Sequence, residues 1–176
     1  IFTILSSCAS RQLEEVTFRR TVIPVQELLD AAGKYFKKLM KNRPERIELE
    51  IESMEAKVIG DVNQLRFLLE NLIDEALTVR EDGVIRLQAR KDNEYIRFLF
   101  TDTRREKSVE ELNQLFYPNL ARMTSGEKGE LRGTEYLVCK QIIRDHDEFA
   151  GRRGCRINAE PAEGGGFTVY FTIPRR

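Results

Sequence analysis

Between Gly60 and Phe100 the spacing of apolar residues switches from a helical period to a period of two, and this switch constrains the fold more than any other feature. After Gly60-Asp61, the residues Leu65, Leu68, Leu69, Leu72, Ile73, Ala76 and Leu77 fall on one face of a helix, with Asp61 as a capping residue at its start. Gly83 marks the break after it. Ile85, Leu87 and Ala89 then alternate with polar residues, as do Ile96, Phe98 and Phe100, and the turn signal Asp92-Asn93 between the two runs predicts a hairpin. A helix and a hairpin that each carry one apolar face bury those faces when a helical layer covers a sheet.

The flanking segments extend the same pattern. Ile1, Leu5, Cys8 and Leu13 lie near helical spacing and predict the end of a helix that starts upstream. Arg19 to Ile23 suits a short edge strand ending at Pro24. Leu28, Leu29, Ala32, Phe36, Leu39 and Met40 trace one face of an amphipathic helix from Val25 that Asn42 and Pro44 stop. Ile47, Leu49 and Ile51 alternate as in a half-buried strand. Ser108 and Glu111 form a capping-box pattern for a short helix through Leu112, Leu115 and Phe116, ended by Pro118. Residues 119–130 are polar, contain Gly126 and Gly129, and read as a mobile loop. A helix from Thr134 to His146 follows. Cys155, Ile157 and Ala159, then Phe167, Val169, Phe171 and Ile173, form a last strand pair across Gly164-Gly165-Gly166.

With 176 residues, 41% apolar and 33% charged, the chain is long enough for one compact domain with a real core. Lys plus Arg equals Asp plus Glu, so bulk charge draws it neither to nucleic acid nor to an anionic membrane. The apolar opening IFTILSSCAS is about half the ~20 residues a membrane span requires and runs into Arg11 and Glu14. No membrane contact is expected of this fragment. Cys8, Cys139 and Cys155 are far apart with no C-x-x-C pair, which argues against a disulfide framework or zinc site and fits packing residues in a reducing cytosol. The chain begins at Ile1 rather than Met, and the expectation is a piece of a longer protein.

Five segments follow one another along the chain: GDVNQLRFLLENLIDEAL from Gly60, FLFTDTRR, LNQLFYP, GTEYLVCKQIIRDH from Gly133, and GRRGCRINAEPAEGGGFTVYFTIP. Their order resembles the ATP-binding catalytic domain of sensor histidine kinases, the family shared with gyrase, heat-shock and mismatch-repair ATPases. The resemblance covers nearly the whole chain. It implies an α+β fold, a two-layer sandwich of the Bergerat type in which helices cover one face of a mixed, mostly antiparallel sheet. It also implies a division at residue 18. Residues 1–18 would be the end of a dimerisation-type helix and linker, and 19–176 the ATPase-like domain.

The same resemblance assigns the candidate site. Asn71 and Glu75 stand four apart, one helical turn, where the family holds Mg²⁺ on the phosphates, and a carboxylate is an acceptable ligand for that ion. Glu75 replaces an asparagine, and Thr78 a lysine. Asp102 ends a strand where the family accepts a hydrogen bond from the adenine amino group. Gly133 keeps the first glycine of the second glycine segment. Arg104, Glu106 and Glu135 occupy the places of three further glycines, whose backbone freedom lets the chain approach the nucleotide. A carboxylate at ~4 Å from a triphosphate costs on the order of 4 kcal/mol at an effective dielectric of about 20. Weak or absent nucleotide binding is the expectation from these three residues.

Plain alternatives stand beside each assignment. Asn71, Asp74 and Glu75 also fit the solvated side of an amphipathic helix. Asp102 also fits a strand-end turn bonded to its own backbone. Arg104, Arg105, Lys107, Lys128 and Arg132 form either an altered anion site or ordinary charged loops. His146, the only histidine, reads as a helix-terminal structural residue, since the family's phosphoacceptor lies upstream.

Two functions remain open. One is a sensor-kinase catalytic domain in the cytoplasm that binds ATP and Mg²⁺, works with its upstream dimerisation and phosphoacceptor domain as a homodimer, and serves a response regulator. The other is a degenerate, non-catalytic module of the same fold that acts through dimerisation or other protein contacts.

Overall fold

A computed structural model describes residues 17–118 and 133–176. The expected N-terminal helix end and the expected mobile loop at 119–130 lie outside the described residues. Strand β1 (Thr21–Pro24) leads into helix α1 (Val25–Met40), then β2 (Ile47–Ile51), β3 (Lys57–Gly60) and helix α2 (Val62–Ala76). The hairpin β4 (Gly83–Asp92) and β5 (Tyr95–Asp102) follows, then helices α3 (Val109–Gln114) and α4 (Glu135–Phe149), and the closing strands β6 (Ile157–Pro161) and β7 (Phe167–Pro174).

The main sheet has five strands in the order β2-β4-β5-β7-β6, and β1 pairs with β3 in a separate two-stranded ribbon. Only the β2–β4 pair is parallel; the others are antiparallel, so the sheet is mixed as the resemblance implies. Ile85, Leu87 and Ala89 of β4 are buried while Arg86 and Arg90 are exposed, so one sheet face meets the helices and the other meets solvent. The solvent face carries ion pairs of Arg86 with Glu50 and Arg90 with Glu52. The inner face stacks Phe98 on Phe171 with ring centroids 4.8 Å apart.

Helix α2 is the centre of the helical layer. Leu65, Leu68, Leu69, Leu72 and Ile73 are all at most 2% exposed, and each such side chain contributes about 1.5–3 kcal/mol through burial. Asp61 is its N-cap as expected, accepting the N–H groups of Asn63 and Gln64. The Ser108 capping box also forms in full at α3. The C-terminal limits differ by a few residues. The helix of α2 closes at Leu77, so Gly83 opens β4 rather than breaking the helix, and its N–H donates to Arg46 O. Strand β3 carries no alternation that sets it apart in sequence. It exists because Val58 and Ile59 find antiparallel partners in Ile23 and Val22.

His146 is wholly buried and joins α4 to the start of α2. Asp61 N–H donates to its Nε2 at 3.1 Å, so Nδ1 carries the proton and donates to Ile142 O at 2.8 Å. The ring is therefore the uncharged Nδ1–H tautomer, and the Phe18 ring meets it edge-on. Gly60 permits this approach, since a Cβ there would stand 2.8 Å from His146 Nε2.

The candidate site at the end of helix α2

The candidate residues gather around the C-terminal half of α2. Asn71 and Glu75 share one face by their spacing of one turn, with Asn71 6% exposed and Glu75 half-buried. The Asn71 amide donates to Phe67 O at 2.8 Å, a bond within its own helix. Thr78, one turn beyond Glu75, bonds back to Glu75 O. Helix α4 lies alongside, where the buried thiol of Cys139 points at Leu68 O at 3.6 Å. Gly133 leads into α4 with φ of 79°, the left-handed backbone that favours glycine.

Asp102 ends β5 and is 4% exposed, and its carboxylate is already engaged. Arg104 Nε donates to Oδ1 at 2.9 Å and Nη2 to Oδ2 at 2.9 Å, a two-pronged ion pair. The Arg104 backbone N–H adds a third bond to Oδ1 at 3.0 Å, which is the strand-end turn that the plain alternative described. The same guanidinium reaches carbonyls at and just beyond the end of α2, where Ala76 O already accepts from the Val79 N–H. Nη2 donates to Ala76 O at 2.6 Å, and Nη1 to Val79 O and Glu81 O at 2.9 Å each. The Arg104 side chain is 1% exposed. Arginine at a glycine position thus folds inward and fills the space beside Asp102, instead of projecting as bulk into an open cleft.

The other two substituted positions behave differently. Glu106 is exposed on the loop after β5. Glu135 lies in the first turn of α4, and its Oε2 is buried with no hydrogen-bond partner. Its charge bears on Asp74, whose carboxyl is pushed above the usual range by burial and by Glu135, against a lowering from the Tyr35 hydroxyl that donates to Asp74 Oδ1 at 2.6 Å. Burial, then Asp74, pushes the Tyr35 hydroxyl up in turn. Cys139 is pushed up by burial first and then by Glu135 and Glu75, and burial takes the Cys155 thiol up to about 12. Both thiols are packing groups, inert as nucleophiles at neutral pH.

The basic residues do not assemble into one anion site among the described residues. Arg104 is spent on Asp102, Arg105 pairs with Glu81 at 2.7 Å, and the Lys107 ammonium sits 5.3 Å from the Phe167 ring centroid. Lys128 and Arg132 lie outside the described residues. No group of three or more His, Cys, Asp or Glu side chains is arranged to hold a metal among the described residues. Grooves of about 760 and 740 Å³ run along α1, and neither is lined by Asp102 or Glu135.

The residues present do not fit an adenine amino group in this conformation. Both Asp102 oxygens accept from Arg104, and an adenine would have to displace an ion pair that is sealed from water. A phosphate near the start of α4 would meet the Glu135 carboxylate in place of a bare backbone. Sequence reasoning missed the inward fold of Arg104. The signal was Asp-x-Arg directly after a strand, with Gly83 set opposite Arg104 when the hairpin register that pairs Ile85 with Asp102 is continued by two residues.

Residues 60–176 match the family model described as Histidine kinase-, DNA gyrase B-, and HSP90-like ATPase, and the chain belongs to that family. Among solved structures, the nucleotide-free catalytic domain of histidine kinase ThkA is similar at TM-score 0.69 and 21% identity, covering 89% of this chain and 96% of that one. Mycobacterial sensor histidine kinase MprB is similar at TM-score 0.68 and 18% identity, covering 90% and 99%. ThkA in complex with response regulator protein TrrA is similar at TM-score 0.68 and 19% identity, covering 99% of this chain and 48% of that one. These likenesses establish the fold of a histidine kinase catalytic domain. No curated protein sequence matches the chain. No helix among the described residues is long and apolar enough to cross a membrane.

Proposed function

We propose that this chain is the catalytic-type domain of a two-component sensor-kinase-like signalling protein in which nucleotide binding is weak, so that it acts through protein contacts. One observation carries the reading: the Asp102 carboxylate that would recognise adenine is bonded on both oxygens by Arg104. Its partners are an upstream dimerisation and phosphoacceptor domain, a second copy in a homodimer, and a response regulator. The ThkA complex with TrrA supports that last partner by similarity of fold. Residues 1–18 are the end of the dimerisation-type helix and linker, residues 19–176 the ATPase-like domain, and the location is the cytoplasm.

The alternative is a domain that still takes Mg·ATP, with Asn71 and Glu75 on the metal and Gly133 beneath the phosphates. It is favoured by the positive φ of Gly133 and by the shared face of Asn71 and Glu75. When bound, ATP would supply a transferable phosphoryl group. A thermal melt with millimolar Mg·ATP, ADP or metal alone separates the two. A ligand at about a hundred times its dissociation constant adds ~2.7 kcal/mol, which raises the midpoint of a domain this size by roughly 5–10 °C. The proposed reading expects no shift with the native chain and a shift after Arg104, Glu106 and Glu135 are all changed to glycine. A clear shift of the native chain that needs both metal and nucleotide sinks it.

A further inference from the structure

The surroundings of Arg104 are more complete than an incidental ion pair requires. A guanidinium has five N–H donors in a rigid planar fork. Here all five are used. Nε takes Asp102 Oδ1, Nη1 takes Val79 O and Glu81 O, and Nη2 takes Ala76 O and Asp102 Oδ2, all at 2.6–2.9 Å. The acceptors come from three places in the sequence: the end of α2, the segment leading to β4, and the end of β5. They converge on one plane-forming cation with its charge matched by one carboxylate.

The stem of the side chain has its own slot. Gly83 has φ of 145°, and a Cβ on it would stand 2.5 Å from Arg104 Cγ and 3.1 Å from Cδ. The loop that presents Arg104 is itself fixed, since Thr103 donates to Val84 O through both its N–H and its hydroxyl, the latter at 2.6 Å. Fork, stem and backbone are thus each received by a separate feature.

We propose that this corner of the fold is a guanidinium-binding pocket, filled in cis by Arg104, which serves the domain as an internal ligand. The pocket selects for a planar cation with several N–H donors. It rejects a neutral aminopurine, which offers a single amino group to Asp102 and nothing to match the carbonyls of Val79, Glu81 and Ala76. Arg104 is accordingly a specificity-determining residue, and it ties the end of α2 to the end of β5 without any nucleotide. The inference deepens the reading of weak nucleotide binding by naming the chemistry that the pocket prefers.

Emptying the pocket tests this. Arg104→Ala leaves Asp102 buried without its ion-pair partner and takes the guanidinium from the carbonyls of Val79 and Glu81, so its melting temperature falls by several degrees. Free guanidinium chloride at 20 mM, far below denaturing levels and compared with equal sodium chloride, then raises the midpoint of the variant by about 2 °C or more and leaves the native chain unmoved. Methylguanidinium behaves like guanidinium, whereas adenine does not. An equal response of variant and native chain to guanidinium overturns the proposal, as does rescue by adenine alone.

Should Arg104→Ala fail to fold, the native chain supplies a second test. The ¹⁵N resonance of Arg104 Nε, assigned by its loss in Arg104→Lys, is expected to persist at pH 7.5 with proton exchange at least tenfold slower than that of exposed Arg66. Exchange as fast as Arg66 overturns the pocket. Neither measurement includes a nucleotide, so tight ATP binding by the native chain would sink the functional reading while leaving these outcomes to stand or fall separately.

Discussion

The two ends of α2 are closed in the same way, by a side chain from elsewhere in the chain, yet they are different kinds of joint. At the start, Asp61 caps from within the local sequence and His146 accepts the Asp61 N–H across 85 residues, with no charge on the ring. At the finish, Arg104 donates to Ala76 O and places a full positive charge against Asp102 with almost no water present. In the first joint the bridging His146 ring is uncharged and meets the Phe18 ring edge-on. The second is charge-assisted and engages Asp102, the carboxylate on which the proposed function turns. One end of the helix is bridged by an uncharged acceptor, the other by a buried ion pair.

The contrast can be broken most directly at its charged end. Removing one member of a buried ion pair strands the other, which typically costs about 3–5 kcal/mol. Arg104→Ala should lose about that much in urea unfolding. A loss under about 1 kcal/mol would mean that Asp102 regains water and that the pocket is not sealed. At the neutral end, His146→Ala removes a wholly buried ring and leaves the Asp61 N–H unmatched, for an expected loss of about 2–4 kcal/mol. If both variants cost the same, the distinction between charged and neutral joints carries no energetic weight. Asp61→Ala should cost only about 1–2 kcal/mol as a lost N-cap, and unfolding curves of equal slope would confirm that only the cap has gone.

The smallest effect concerns Asp74 beside α4. Its carboxyl is pushed up by burial and by Glu135, so the folded chain holds that proton to higher pH than the unfolded chain does. Its ionisation therefore costs stability as pH rises from the unfolded value of about 3.8 through the folded one. Asp74→Asn should improve relative to the native chain between pH 4 and pH 7. A difference that stays constant across that range excludes the effect. Glu135→Gln should lower the Asp74 titration midpoint followed by carboxyl NMR, and an unchanged midpoint would show that the two carboxylates do not sense one another.

The cap at the start of α2 was legible in the sequence, because Asp61 signals it within two or three residues, whereas His146, read as a helix-terminal residue, lies inside a helix that runs to Phe149 and meets Asp61 across 85 residues. The hairpin was legible for the same reason, since Ile85 to Ala89 and Ile96 to Phe100 alternate locally. Strand β3 was not, because Val58 and Ile59 become a strand only when β1 lies beside them. Arg104 stood out in the sequence where the resemblance expects glycine, but its destination depends on the carbonyls of Ala76, Val79 and Glu81, whose convergence is a tertiary fact. Local signals report elements, while a side chain six bonds long reports nothing until its surroundings are assembled.

The single parallel pair in the sheet bears on the order in which the molecule comes together. The β4–β5 hairpin closes over a two-residue turn, whereas Ile47 meets Gly83 only after the ribbon strand β3 and all of α2 have been laid between them. Short loops close on a faster clock than long ones. The hairpin is thus expected to form early, and β2 to join later at an edge of the sheet. During breathing of the native chain β2 should be the first strand of the sheet to detach, which makes it the place where a protease would find its opening.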